Sequence, residues 1–186
     1  AADIRRVIAE APGLVILDEA YAEFSGDAGL LAEAPALGRV VVARTLSKAY
    51  GLAGLRVGYG VASREIVETI ERSRGPYKLN ALAERAAVAA MTRDSEWVVA
   101  RAAEAVANRD RLAAALATRG LVALPSATNF LCVPTARAMD YAAAARTAGV
   151  GIRAFAALPG IGGALRITAG PWPIMERLLA ALDTVA

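Results

Sequence analysis

The sequence predicts an α/β protein. A partial sheet, mixed or parallel, is flanked by helices in the first part of the chain, and a smaller α+β part closes it. Three observations predict this. Short apolar runs, L-V-I-L-D at Leu14–Asp18 and V-V-V-A just before Arg44, read as buried strands of a parallel sheet. Segments with apolar residues at helical spacing lie between and after them. From Leu121 onward, strand-like runs alternate with two further helical segments.

Composition narrows the classes. Hydrophobic residues make up 56% of the 186, enough for a substantial core, and the net charge is only +3. No basic run interleaved with aromatics appears, so nucleic acid is not expected as a partner. A single cysteine, Cys132, excludes an internal disulfide and a cysteine-built zinc site, and its apolar setting N-F-L-C-V predicts core packing. The absence of histidine removes Ser-His and Cys-His nucleophile pairs and histidine metal sites, and leaves proton transfer to Lys, Tyr or a carboxylate. No metal site is expected. No stretch reads as a membrane span or a signal peptide.

In chain order, D-I-R-R-V-I-A-E-A predicts a helix already under way before the strand ending at Asp18. Residues 23–37 read as irregular, with Leu30, Leu31 and Leu37 packing a short helix onto the sheet. Gly38–Arg44 reads as the next strand, and Arg56–Ala62 as another, with Ser63 as the N-cap of a helix carrying Ile66, Val67 and Ile70 to about Arg74. Gly75-Pro76 breaks the pattern. A helix begins near Asn80, and a long one runs from Ser95 to Thr118, with Val98, Ala102, Ala105, Leu112 and Leu116 inward, its arginines a solvated face and Gly120 its stop. L-V-A-L, N-F-L-C-V and A-L-R-I-T read as strands, and 140–148 and 173–185 as helices. Pro173 suits the first turn of the last helix, whose inner face is Met175, Leu178, Leu179, Leu182 and Val185.

The chemistry concentrates in T-L-S-K-A-Y-G-L-A-G-L-R-V-G-Y, Thr45 to Tyr59. A lysine is usually a solvated surface residue. Here Lys48 follows a strand, has Ser47 beside it and Arg56 eight residues on, and sits among Gly51, Gly54 and Gly58. A positioned lysine with a hydroxyl and an arginine suits pyridoxal 5′-phosphate (PLP): the amine condenses with the aldehyde, while the hydroxyl and the planar guanidinium hold the phosphate. Upstream, Asp18-Glu19-Ala20-Tyr21 follows a strand. A strand-end Asp serves equally as a helix N-cap, or as the carboxylate that keeps a pyridine nitrogen protonated.

S-K-A-Y-G-L-A-G-L-R-V-G-Y together with D-E-A-Y resembles the fold-type I PLP-dependent aminotransferases, and most closely the histidinol-phosphate aminotransferase branch. The resemblance implies that the chain is the C-terminal part of such an enzyme. Residues 1–75 would be part of the PLP-binding large domain, 76–118 connecting helices, and 119–186 the small C-terminal domain. It implies Lys48, Asp18 and Tyr21 as catalytic residues. The cofactor contacts would be Asp18, Tyr21, Thr45, Ser47, Lys48 and Arg56. Tyr21 would donate to the cofactor's phenolic oxygen. Arg166 would grip a substrate carboxylate and Arg153 a substrate phosphate; a surface-facing strand residue and a plain surface arginine are the alternatives. Tyr77 and Asn80 match a segment near the subunit interface, or serve as loop and cap; Asn129 matches a recurrent position without an assigned chemistry. L-Histidinol phosphate with glutamate and 2-oxoglutarate is the implied substrate set, in a cytoplasmic homodimer. An aromatic amino-acid aminotransferase and a phosphothreonine decarboxylase share these motifs, a PLP-binding regulatory module is the non-enzyme alternative, and a remnant that has lost its cofactor is a third.

Overall fold

The computed structural model describes residues 2–185. It divides into two compact units, one reaching Val99 and the other starting at Ala100.

The first unit contains α1 (Ala2–Glu10), β1 (Val15–Asp18), α2 (Ala22–Ser25), β2 (Val40–Thr45), β3 (Gly58–Val61), α3 (Arg64–Ser73) and α4 (Ala81–Arg93). Its sheet is mixed: β1 pairs parallel with β2, placing Asp18 beside Ala43, and β3 pairs antiparallel with β2. The side chains alternate across the sheet. Val40 and Val42 point into a core with Ile8, Leu30 and Ala34. On the other face Ile16 is 68% exposed. Asp18 and Thr45 share that second face by register, and both stand at the carboxyl ends of their strands.

Asn80 caps α4 as the sequence predicts, its side-chain oxygen accepting from the Ala83 amide at 2.8 Å. Ser63 occupies the N-cap position of α3, but its hydroxyl donates to the Gly38 carbonyl at 3.5 Å. Arg56 does not begin a strand. It follows a 3-10 turn (Ala53–Leu55) in the left-handed conformation, φ 55° and ψ 48°, and β3 starts two residues later. A non-glycine residue there costs about 1–2 kcal/mol, which the surrounding structure has to supply.

Helix α5 (Ser95–Ala117) leads into the second unit, which contains β4 (Phe130–Pro134), α6 (Ala138–Thr147), β5 (Arg153–Leu158), β6 (Gly162–Thr168) and α7 (Trp172–Leu182). Its sheet is antiparallel in the order β4-β6-β5. One face, carrying Leu131, Val133, Leu165 and Ile167, packs against Leu112 and Leu116 of α5, the alanines of α6, and Met175, Leu178, Leu179 and Leu182 of α7. Each such aliphatic side chain, fully buried, contributes roughly 1.5–3 kcal/mol. Helices α5 and α6 stop alike. The Gly120 and Gly149 amides bond back to Ala117 and Arg146, and the Leu121 and Val150 amides to Leu116 and Ala145. Both glycines take positive φ, 74° and 73°, and the buried Leu121 and Val150 close each turn from the core side.

Several expectations are corrected here. Leu121–Leu124 forms no strand: the Leu124 amide reaches the Cys132 carbonyl, but no ladder follows. Cys132 is half-buried on the sheet face opposite the helices rather than in the core, because its neighbours Leu131 and Val133 take the inward positions. Arg109 does not belong to a solvated face; it is 9% exposed. Ala105 is only partly buried, and Val185 lies beyond the end of α7.

Candidate functional site

The first unit gathers Asp18, Tyr21, Thr45, Ser47, Lys48 and Arg56 on the ends of β1 and β2 and the loop after β2. Asp18 is exposed, and one carboxylate oxygen accepts from the Ala20 amide at 3.0 Å. That tight turn swings the chain into α2 and sets Tyr21 beside the loop. The Lys48 ammonium lies 5.3 Å from the centre of the Tyr21 ring, within cation–π range. Thr45 organises the approach to Lys48: its Oγ1 accepts from the Ser47 amide at 3.1 Å and donates to the Val57 carbonyl at 3.4 Å. The Leu46 and Leu52 amides bond to Val57 and Leu46, so the loop folds back over its own start. Leu46 and Val57 are buried beneath it with Ala83 and Ala87 of α4. Arg56 is exposed, with one Nη donating to the Ala53 carbonyl at 3.2 Å.

Two of the three glycines matter to this geometry. Gly51 has φ 69°, and a Cβ on Gly58 would stand 2.8 Å from the Arg44 carbonyl oxygen. Gly54 has open space around it.

In the second unit, Arg153 and Arg166 are register partners on β5 and β6, and Cys132 is the partner of Arg166 on β4. The three therefore form a row on the sheet face away from the helices. Arg153 opens β5 rather than following a strand. The Arg166 guanidinium lies 4.0 Å from the Phe130 ring centre, and that of Arg153 lies 5.0 Å from Phe155. Asn129 contributes its carbonyl to the Ala169 amide, extending the β4–β6 ladder by one rung.

Sequence reasoning missed two arginines. Arg44 of β2 is half-buried and donates Nε and Nη2 to one oxygen of Glu19 at 3.1 and 2.8 Å. Burial works against its charge, but the hydrogen bond and charge of Glu19, with smaller help from Tyr59 and Glu23, raise its pKa above the ordinary arginine value. Nearby, burial raises the pKa of the Tyr50 phenol, with Tyr59 and Glu23 adding and Arg44 opposing. In the second unit Arg109 donates to the Thr128 carbonyl at 2.9 Å and to Asp110 at 2.9 Å, while Asn108 donates to the Gly170 carbonyl at 3.2 Å. These two α5 side chains hold the turns before β4 and after β6. The signal that could have found Arg109 is its place in the inward stripe of α5, four residues after Ala105 and three before Leu112.

Among the described residues no helix is long and apolar enough to cross a membrane.

A mixed sheet flanked by helices, with a carboxylate at the end of one strand and a lysine in the loop after the next, defines an α/β protein. Residues 1–182 match the family described as aminotransferase class I and II, and the chain belongs to that family. A histidinol-phosphate aminotransferase of Rhizobium meliloti is 38% identical over 99% of this chain and 53% of its own length. An aromatic amino acid aminotransferase of Mycolicibacterium smegmatis is 43% identical over 77% of this chain and 41% of that protein. The crystal structure of the Sinorhizobium meliloti histidinol-phosphate aminotransferase in complex with pyridoxal-5′-phosphate matches with a TM-score of 0.81 at 29% identity, covering 98% of this chain and 53% of that one. The chain thus spans about half the length, or less, of the relatives it matches.

Proposed function

We propose that the protein containing this chain is a PLP-dependent aminotransferase that transfers the amino group of L-histidinol phosphate to 2-oxoglutarate, with glutamate as the product of the second half-reaction. The observation that carries the reading is the Lys48 loop, with an exposed lysine at the carboxyl end of β2 and an exposed carboxylate, Asp18, at the matching end of β1, in a chain of this family. The donor set fits the cofactor: an amine for its aldehyde, a carboxylate for its ring nitrogen, a phenol for its phenolic oxygen, and hydroxyls with a guanidinium for its phosphate.

When bound, the cofactor supplies the electron sink that makes a substrate Cα proton removable. In this reading Lys48 is the covalent attachment point and then the base that takes the Cα proton. Asp18 holds the proton on the ring nitrogen. Tyr21 donates its hydroxyl to the ring oxygen. Ser47 and Arg56 bind the phosphate, with the Thr45 hydroxyl fixing the Ser47 amide beside them. Arg166 binds a substrate carboxylate and Arg153 the substrate phosphate. The domain division expected at residues 75 and 118 belongs to the same proposal. So do a cytoplasmic location and a homodimer; the dimer is supported by a left-handed, 98% exposed Tyr77 and by Leu82 and Val88 of α4, 76% and 57% exposed.

A second reading, an aromatic amino-acid aminotransferase, is favoured by the relative of that name at 43% identity. The test starts with the visible spectrum of the whole protein with PLP, followed by borohydride reduction and peptide mapping. A reduced adduct on Lys48 is expected; a visible band without that adduct would remove Lys48 from its role. Rates with histidinol phosphate and phenylalanine then separate the two substrate readings.

A further inference from the structure

Arg44 ties together the two segments that carry the first unit's site residues. It lies between Ala43, the register partner of Asp18, and Thr45, which holds the loop to Lys48. Its side chain points to the covered face of the sheet, opposite that of Asp18 and Thr45. There its Nε and Nη2 grip Glu19, Nη2 also reaches the Ala28 carbonyl at 3.1 Å, and Nη1 stands 4.0 Å from Glu23. Glu19 in turn accepts from the Leu30 amide at 2.7 Å with its other oxygen. A Cβ on Gly29 would come within 2.5 Å of that carboxylate, so the close approach depends on glycine. The stretch from Glu19 to Leu30 is thus drawn onto one guanidinium at its start, its middle and its end. Tyr21 lies inside that stretch, its ring next to that of the buried Phe24 at 6.3 Å between centres.

We propose that Arg44, acting through Glu19, is a positioning residue that holds the Tyr21 ring across the Lys48 amine. The inference rests on the proposed role of Lys48, but the contact it concerns exists without cofactor. A lysine replaces Arg44 only in part: its single nitrogen can stand where Nη2 does, against Glu19 and the Ala28 carbonyl, but it lacks the second nitrogen that Nε brings to Glu19 and the third that faces Glu23. Freed from this clasp, the stretch bearing Tyr21 loses its register against β2, and the ring uncovers the amine.

The chain has two lysines, Lys48 and Lys78, and Lys78 pairs with Glu71 away from this cluster, so it serves as an internal reference. The test is reductive methylation of the whole, cofactor-free protein with trace formaldehyde and cyanoborohydride, read as the labelling of Lys48 relative to Lys78 by peptide mapping. Arg44→Lys and, separately, Glu19→Gln should each raise that ratio about threefold, in keeping with the loss of one cation–π contact. Tyr21→Ala should raise it equally, and Arg44→Lys added to Tyr21→Ala should change it no further. Wild-type ratios in Arg44→Lys and Glu19→Gln, whatever their melting temperatures, would overturn the proposal, as would additive effects in the double variant. If Arg44→Lys fails to fold, Glu19→Gln, which keeps shape and volume, decides. Absence of a cofactor adduct on Lys48 in the wild type would refute the functional reading and leave this test standing.

Discussion

Arg153 and Arg166 face each other across neighbouring antiparallel strands, each against an aromatic ring of its own strand or the next. Like charges directly opposite on a sheet cost stability, on the order of 0.2–1 kcal/mol. The rings of Phe155 and Phe130 offset part of that through their π faces. In the proposed function the two arginines bind the anionic groups of the substrates. Arg153→Ser should leave basal stability equal or slightly raised, and should weaken stabilisation of the protein by inorganic phosphate. Arg166→Met should chiefly damage handling of glutamate. Melting curves with and without phosphate, and glutamate kinetics of the whole enzyme, check the two halves. Normal glutamate kinetics in Arg166→Met would remove it from carboxylate binding.

Gly58 is required by the β2–β3 ladder, since a side chain there meets the Arg44 carbonyl oxygen at 2.8 Å. Gly58→Ala should cost about 1–3 kcal/mol through forced backbone displacement. Gly54→Ala, in open space, should stay within about 0.5 kcal/mol of wild type. Denaturant midpoints at unchanged slope measure both. Equal effects at the two glycines would mean that the close contact at Gly58 relaxes freely.

The elements that the sequence made legible are those whose signal is local. Asp18 was readable because it ends a short apolar run, Lys48 because it lies in the polar, glycine-rich loop that follows one, and Asn80 because a cap needs only its own three following residues. The stop of α5 was readable because Gly120 alone permits the left-handed turn. What stayed hidden depends on partners far along the chain. Arg44 reads as an ordinary strand-end charge until Glu19, 25 residues away, is folded against it. Arg109 stands at the inward helical spacing, four residues after Ala105 and three before Leu112, but its charge placed it with the solvated arginines, and the Thr128 carbonyl that satisfies it is a partner no side-chain pattern reports. Leu121–Leu124 has strand composition, but the buried Leu121 is spent on closing the helix. At Arg56 the glycines on either side drew attention from the residue that makes the turn itself.

The buried Arg109 supports a prediction on the β4 turn. Its Nη1 bond to the Thr128 carbonyl holds a segment where Ser126 and Thr128 both turn their hydroxyls to the Phe130 carbonyl. Arg109→Met keeps much of the volume and removes a charged donor, which should cost about 1.5–3 kcal/mol. The loss should appear in hydrogen exchange at Thr128 and Phe130, whose amides bond to Ser126 and Thr128 hydroxyls, before it appears in the helices. Uniform loss of protection across the second unit would instead assign Arg109 to general packing.

The acid limit of stability should bear the mark of Arg119 and Asp183. The Arg119 guanidinium binds both oxygens of Asp183, at 2.6 and 2.9 Å, and joins the end of α5 to the end of α7. This hydrogen bonding, opposed a little by desolvation and aided by the charge of Arg119, holds the Asp183 carboxyl below its usual range. A carboxyl whose folded pKa is depressed binds its proton more weakly in the folded state than in the unfolded one. Its contribution is therefore fully present above the ordinary carboxylate value and is lost as pH falls through the depressed one. Glu33 beside Arg5, and Glu71 beside Lys78 and Arg74, are depressed in the same direction, so Asp183 is one of several groups on the acid limb. Asp183→Asn should lower the melting temperature by a constant amount from neutral pH down to the ordinary carboxylate range. Below that the difference from wild type should shrink and vanish once the wild-type carboxyl is protonated. Added salt should narrow the neutral-pH difference too, because the pair is partly exposed. A difference that persists undiminished into strong acid would show that the substituted amide perturbs the α7 terminus by shape rather than by the missing charge.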